Sequence, residues 1–131
     1  MSAIYMTNTN STNVPTGSII PNTINKCCGQ SIVWFGNAAI IRRPGYYKVN
    51  ITVTCTAADA DIVTLNLQKN GVNVPGITAS ETFSTANTEV RTLSLQGIIR
   101  VLCHEGNPIF TLVNSSDVAI TTTNVSISII D

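Results

Sequence analysis

The sequence predicts an all-β chain, a sandwich or barrel of about eight to ten short strands. Two observations carry this. Apolar residues in the long runs recur with period two, and Gly, Pro, Asn, Asp and Ser interrupt those runs at short intervals. A third supports it: no stretch makes a convincing helix. The run GYYKVNITVTCTAADADIVTLNLQKNGVNVP, residues 45–75, shows both primary signals. Tyr47, Val49, Ile51, Val53 and Cys55 alternate with Tyr46, Lys48, Asn50, Thr52 and Thr54. That spacing sends one apolar row to one face and one polar row to the other. The β-branched content suits a pleated, half-buried surface.

Residues 1–30 are rich in Thr, Asn, Ser and Pro. Residues 1–25 read as a polar N-terminal arm or flap, and residues 26–131 as the folded domain. Within the arm, Ala3 to Met6 is a candidate edge strand, and Ser18 to Ile20 a brief extended piece between turns. Residues 31–42 read as a tight hairpin turning at Gly36-Asn37. Trp34 is expected as a plug between layers, with an exposed partner contact as the alternative. Pro44-Gly45 opens the first long strand. Ile62 to Lys69 follows, with Val63, Leu65 and Leu67 on one side, and then Asn70-Gly71. That dipeptide between extended runs is a strong hairpin signal, because both central residues take positive φ. Pro75 marks an edge or a bulge. Residues 78–88 read as a surface loop or short strand pinned by Phe83. Glu89 to Leu102 is the next long strand, with Gly97 expected to be a bulge that breaks its register. Turns at 104–108 and 114–117 bracket a strand over Ile109 to Val113. Ala119 to Ile130 closes the chain, with Val125, Ile127 and Ile129 on one face.

At 131 residues the chain is long enough for one two-layer domain. Charged residues make up only 11%, against about 25% in ordinary globular domains. Its 18 Thr and 14 Asn supply the polar surface instead. Net charge is zero, so nothing offers the basic patch that nucleic acid requires. A weakly charged surface has little repulsion to keep copies apart, which favours assembly. No segment approaches the roughly 18 consecutive apolar residues of a membrane span. MSAIYMTNTN has neither a basic nor an apolar signal region. Synthesis in a cytoplasm is the expectation.

Chemistry finds little support. His104 is the lone histidine. Cys103 beside it would point to the opposite face of a strand, and nothing orients His104 toward Cys28 or Cys55. Asp59 and Asp61 would need further ligands to hold a cation. No phosphate loop, Gly-x-Ser-x-Gly or His-Glu-x-x-His occurs. Cys27, Cys28, Cys55 and Cys103 lack zinc-type spacing. They are expected to be mainly buried, reduced thiols, with disulfides as the alternative. No catalytic residue, metal or cofactor is expected, and the chain reads as a non-enzyme.

The segments PGYYKVNITVTC, LNLQKNGVNVPG, LSLQGIIRVLCHEGNPIFTLVNSS and NVSISIID resemble the tumour necrosis factor/complement-head jelly-roll superfamily. The likeness covers roughly the last 90 residues. It is nearest in flavour to the bacterial and phage branch: tip domains of spore-surface glycoproteins, and decoration or head-fibre proteins. Where many members carry Leu-x-x-Gly-Asp, this chain has Cys103-His104-Glu105-Gly106-Asn107, which speaks against a calcium or carboxylate role there.

The resemblance implies a two-sheet antiparallel jelly-roll sandwich of about ten strands, with three copies around an axis. Parts of residues 3–8, 46–55, 90–101 and 119–130 would form the inner sheet. The trimer interface would use their outward side chains: Tyr46, Lys48, Thr52, Thr54, Thr122, Ser126, Ser128 and Ile130. The function implied is a structural protein of a bacteriophage virion, a trimeric capsid decoration or head-fibre component. It would contact the capsid shell through the N-terminal segment. The alternatives are a spore- or cell-surface module and a receptor- or carbohydrate-binding tip.

Overall fold

The computed structural model describes residues 2–131. They form eleven strands: β1 Ala3–Asn8, β2 Thr12–Val14, β3 Thr23–Cys28, β4 Ile32–Phe35, β5 Ala38–Ile41, β6 Gly45–Ala57, β7 Ile62–Lys69, β8 Val72–Thr82, β9 Arg91–Val101, β10 Ile109–Asn114 and β11 Ile120–Ile130. The larger sheet runs β3-β1-β11-β6-β9, with β2 also pairing with β11, and the smaller runs β4-β5-β10-β7-β8. Every pairing is antiparallel. Between residues 38 and 130 the chain passes back and forth between the two layers, as a jelly roll does.

The alternation in β6 is the template for the core. Tyr47, Val49, Ile51, Val53 and Cys55 are buried, and they meet Leu65, Leu112 and Phe110 from the facing sheet. Phe83 is buried, as its position among polar neighbours predicts. Both expected turns form. Asn70 and Gly71 take φ of 51° and 85°, and Gly36 and Asn37 take 54° and 66°. Trp34 is half-buried against the core, and its Nε1–H donates to Asn22 Oδ1 at 3.0 Å. Pro75 lies in β8, an edge strand, where a missing N–H costs no ladder bond.

Two expectations are corrected and one alternative is resolved. Residues 1–25 are not an arm. β1 is inserted between β11 and β3, so it is not an edge strand, and Ile4, Met6, Val14 and Ile20 are core residues. Polar composition hid this because only alternate residues of β1 face inward. Of the loop and strand alternatives for residues 78–88, residues 78–82 take the strand, as the end of β8 paired with β7 from Thr78↔Asn66 to Thr82↔Ile62. Finally, Gly97 is no bulge. The β6–β9 ladder runs without a shift from Gly45↔Val101 to Cys55↔Arg91.

Gly97 faces the core, where a Cβ would sit 2.8 Å from Ile77 Cγ1 of the opposite sheet. Glycine there lets Ile77, 2% exposed, fill the space between layers. At one end of the sandwich, buried Asn114 ties three segments together. Its Nδ2 donates to Val14 O and Val118 O, and its Oδ1 accepts from Ser116 N.

Gly97→Ala should therefore lower stability by about 1–3 kcal/mol through overpacking. Combined with Ile77→Val it should cost less than the sum of the two single changes, because the two sites share one space. Urea unfolding of the four variants measures that coupling.

Candidate functional site

The solvent side of the larger sheet is the most distinctive surface. Its strands pair in registers that line up outward side chains in cross-strand rows. Thr54 stands between Asn124 and Thr92; Thr52 between Ser126 and Ser94; Asn50 between Ser128 and Gln96; Lys48 between Ile130 and Ile98. Tyr46 pairs with Arg100. β1 extends three of these rows with Thr7, Tyr5 and Ala3.

The face is graded along the strands. One end is hydroxyl-rich, with Thr54 and Thr92 sharing a hydrogen bond at 3.1 Å. In the middle, Ser126 Oγ donates to Tyr5 Oη at 3.2 Å. The other end is apolar and cationic. Tyr46 is 65% exposed and Ile98 67%. With Lys48, Ile130 and Asp131 they surround a shallow hollow of about 320 Å³. The Arg100 guanidinium lies 5.8 Å from the Tyr46 ring centroid, an arrangement worth about 0.5–1 kcal/mol at an exposed site. No carboxylate stands in the outward rows of β1, β6, β9 and β11.

Of the eight interface residues expected from the resemblance, seven share this face: Tyr46, Lys48, Thr52, Thr54, Ser126, Ser128 and Ile130. Thr122 does not. The β6–β11 register shifts between Thr122 and Asn124, so one extra residue, Thr123, is inserted. Such a bulge inverts the parity of the strand. Ile120 and Thr122 point inward before it, and Val125, Ile127 and Ile129 after it. Thr122 is fully buried, and its Oγ1 donates to Thr12 O at 3.5 Å. Uniform alternation over 119–130 cannot foresee that switch, although the Thr121-Thr122-Thr123 run is where it falls.

Ile98 and Arg100 were not among the expected residues. The signal was in the sequence: continuing the Leu93, Leu95 alternation through Gly97 to Ile99 and Val101 turns Ile98 and Arg100 outward.

The chemical candidates stay apart. Cys55 pairs with Arg91 at one end of the β6–β9 ladder. His104 follows Val101 at the other end, exposed in a short 3-10 turn. Cys28 lies on β3, the opposite edge of the sheet from β9. Asp59 and Asp61 share an exposed loop, where Asp61 Oδ1 accepts from Ile62 N at 2.7 Å. Among the described residues no group of three or more His, Cys, Asp or Glu converges. The expectation of mainly buried thiols is also corrected. Only Cys55 is buried; Cys27, Cys28 and Cys103 are exposed. Burial pushes the Cys55 thiol up to about 11.

The layering and strand order define a jelly roll of the tumour necrosis factor type. No family model matches the chain, and no curated protein matches its sequence. Solved structures do match. The Eiger tumour necrosis factor of S. frugiperda superposes with a TM-score of 0.72 at 10% identity, covering 98% of this chain and 90% of that one. Murine APRIL gives 0.67 at 11% identity, with 97% of each chain covered. The vertex protein P5 of the phage PRD1 gives 0.58 at 13% identity, covering all of this chain and 74% of that one. Identities this low speak for the fold.

In the folded protein Cys55 should resist alkylation under conditions that label Cys103, and should react once denaturant opens the core. Peptide mapping after a timed pulse of iodoacetamide reads the difference.

Proposed function

We propose that this chain is a structural, non-catalytic component of a bacteriophage particle, assembled as a homotrimer through the outward face of its larger sheet. The observation that carries the trimer is the exposed pair Tyr46 and Ile98 beside half-buried Ile130, on strand rows that hold no carboxylate, with Asp131 at the rim. Exposed aromatic and aliphatic side chains beside small hydroxylated ones are what a packed interface uses. Thr52, Thr54, Ser126 and Ser128 are short enough for a neighbouring copy to approach the sheet closely. Their hydroxyls can exchange hydrogen bonds with it. A cyclic assembly uses one such patch in every copy.

The viral assignment is supported by the fold shared with a phage vertex protein and by the resemblance of the strand motifs to phage decoration and head-fibre domains. A decoration or head-fibre role asks for shape and stability rather than a reaction centre. Contact with the capsid shell would fall to the part of the N-terminal segment that remains accessible. β3 is an edge strand that pairs only with β1, and all six of its residues are exposed. Such an edge presents unpaired backbone groups to an incoming strand. The rival assignment to a glycan- or receptor-binding tip asks for exposed aromatics on loops. The exposed Phe35 and Tyr46 lie on strands instead.

Light scattering on the eluting protein should give about three times 13.9 kDa. Ile98→Arg combined with Tyr46→Asp should shift the species toward the monomer while leaving the far-ultraviolet circular dichroism unchanged. A wild-type monomer at micromolar concentration would overturn the trimer. Labelled antibody imaging of the particle that carries the protein separates a capsid position from a spore or cell surface.

A further inference from the structure

The chain is neutral as a whole but not along its length. β6 has 13 residues and spans roughly 40 Å, and the ionised side chains divide between the halves it defines. The half at the Gly45 end holds Lys26, Arg42, Arg43, Lys48, Lys69 and Arg100 against Glu105 and Asp131. Six cations less two carboxylates leave four net positive charges. The half at the Ala57 end holds Asp59, Asp61, Glu81, Glu89 and Asp117 against Arg91 alone. Five carboxylates less one cation leave four net negative charges.

The connections make each half one continuous surface. At the acidic end, Ala58 N donates to Ala119 O, Phe83 N to Asp61 O and Asn87 N to Ala57 O. Loops 58–61, 83–90 and 115–119 are thereby gathered. At the basic end, Arg42 N donates to Ser31 O and Tyr47 Oη to Arg43 O. Asp131 N donates to Ser2 O. Arg42, Arg43, Asp59 and Asp117 are exposed. None of their side chains is in an ion pair among the described residues.

Two ends of equal and opposite charge on one neutral chain fit each other. We infer that the acidic end of one copy docks on the basic end of the next, so that the protein stacks along its strand direction. The occupant of each end is a second copy of this chain. The contact is heterologous and does not close on itself, so stacking continues until an end is capped. The ends keep their opposite signs within a trimer: with Lys48, Arg100 and Asp131 set aside as belonging to the trimer face, Lys26, Arg42, Arg43 and Lys69 still stand against Glu105 alone. In a cyclic layer the components of the dipoles along the axis add, while those across it cancel. Screening at physiological salt reaches within about 8 Å, so the attraction acts near contact and weakens as salt rises.

The test is sedimentation velocity at about 20 mM and about 0.5 M salt over a range of protein concentrations. Growth beyond the high-salt species at low salt is expected. Equal mass at both salts would overturn the stack. The high-salt mass separately reports the subunit count, so the trimer and the stack fail independently.

Two charge-reversal pairs locate the contact. Asp59→Lys with Asp117→Lys removes the net charge of the acidic end, and Arg42→Glu with Arg43→Glu does the same at the basic end. Each alone should weaken low-salt association by at least about tenfold. Mixed in equal amounts, they retain one acidic and one basic end between them, and should form pairs that grow no further. Low-salt growth in either variant at the same protein concentrations as the wild type would overturn the assignment. The neutral substitutions Asp59→Asn with Asp117→Asn, and Arg42→Gln with Arg43→Gln, halve the charge of an end and replace any reversal that fails to fold; they should weaken low-salt growth by less than the reversals, and growth equal to the wild type's would overturn the assignment.

Discussion

Each strand of the larger sheet has two faces to satisfy, and its alternation decides which side chain goes to which. In β6 the inward row runs unbroken from Tyr47 to Ala57, and every member is buried. Its two neighbours must match it residue for residue. β9 does so without a shift across eleven pairs. β11 does so over both halves, but only by inserting Thr123. One methyl group too many at Gly97 would crowd Ile77, and one residue too few at the bulge would set a row of side chains on the wrong face. The core and the outward surface therefore come from a single pairing pattern, and neither can be altered along a strand without altering the other.

That coupling gives the outward surface its character. The core takes the large aliphatic residues, so the opposite row is left with Thr, Ser, Asn and Gln. Tyr46, Ile98 and Ile130 interrupt this at one end. With 11% charged residues, the protein has few means of keeping neighbours off by repulsion. The charges it has are placed toward the ends of the sandwich and hardly at all across the hydroxyl rows. Reaction chemistry would require convergence of polar groups, and the two ends of the β6–β9 ladder hold Cys55 and His104 apart.

Much of this was legible in the residues. The Asn70-Gly71 and Gly36-Asn37 turns, the inward rows of β6 and β7, the pinning role of Phe83 and the two-sheet class all follow from local rules, because period and turn chemistry act over a few residues. The resemblance to tumour necrosis factor-like domains also placed β1, β6, β9 and β11 in one sheet, as observed. The misreadings share one cause. Gly97 resembles a bulge when only its own strand is read, and Ile77, which explains it, lies 20 positions away on the opposite layer. Residues 1–25 look like an arm because their composition is polar, while their place is set by ladders to β11.

By itself, then, the sequence determined the class of fold, the turns and the alternation within each strand, since these depend on neighbours in the chain. Only the tertiary structure decided which glycine makes room for a partner, where the parity of β11 inverts, that Cys55 alone of the thiols is buried, and that a neutral chain has oppositely charged ends. Those properties arise between residues that folding brings together from distant parts of the chain, and no local pattern encodes them.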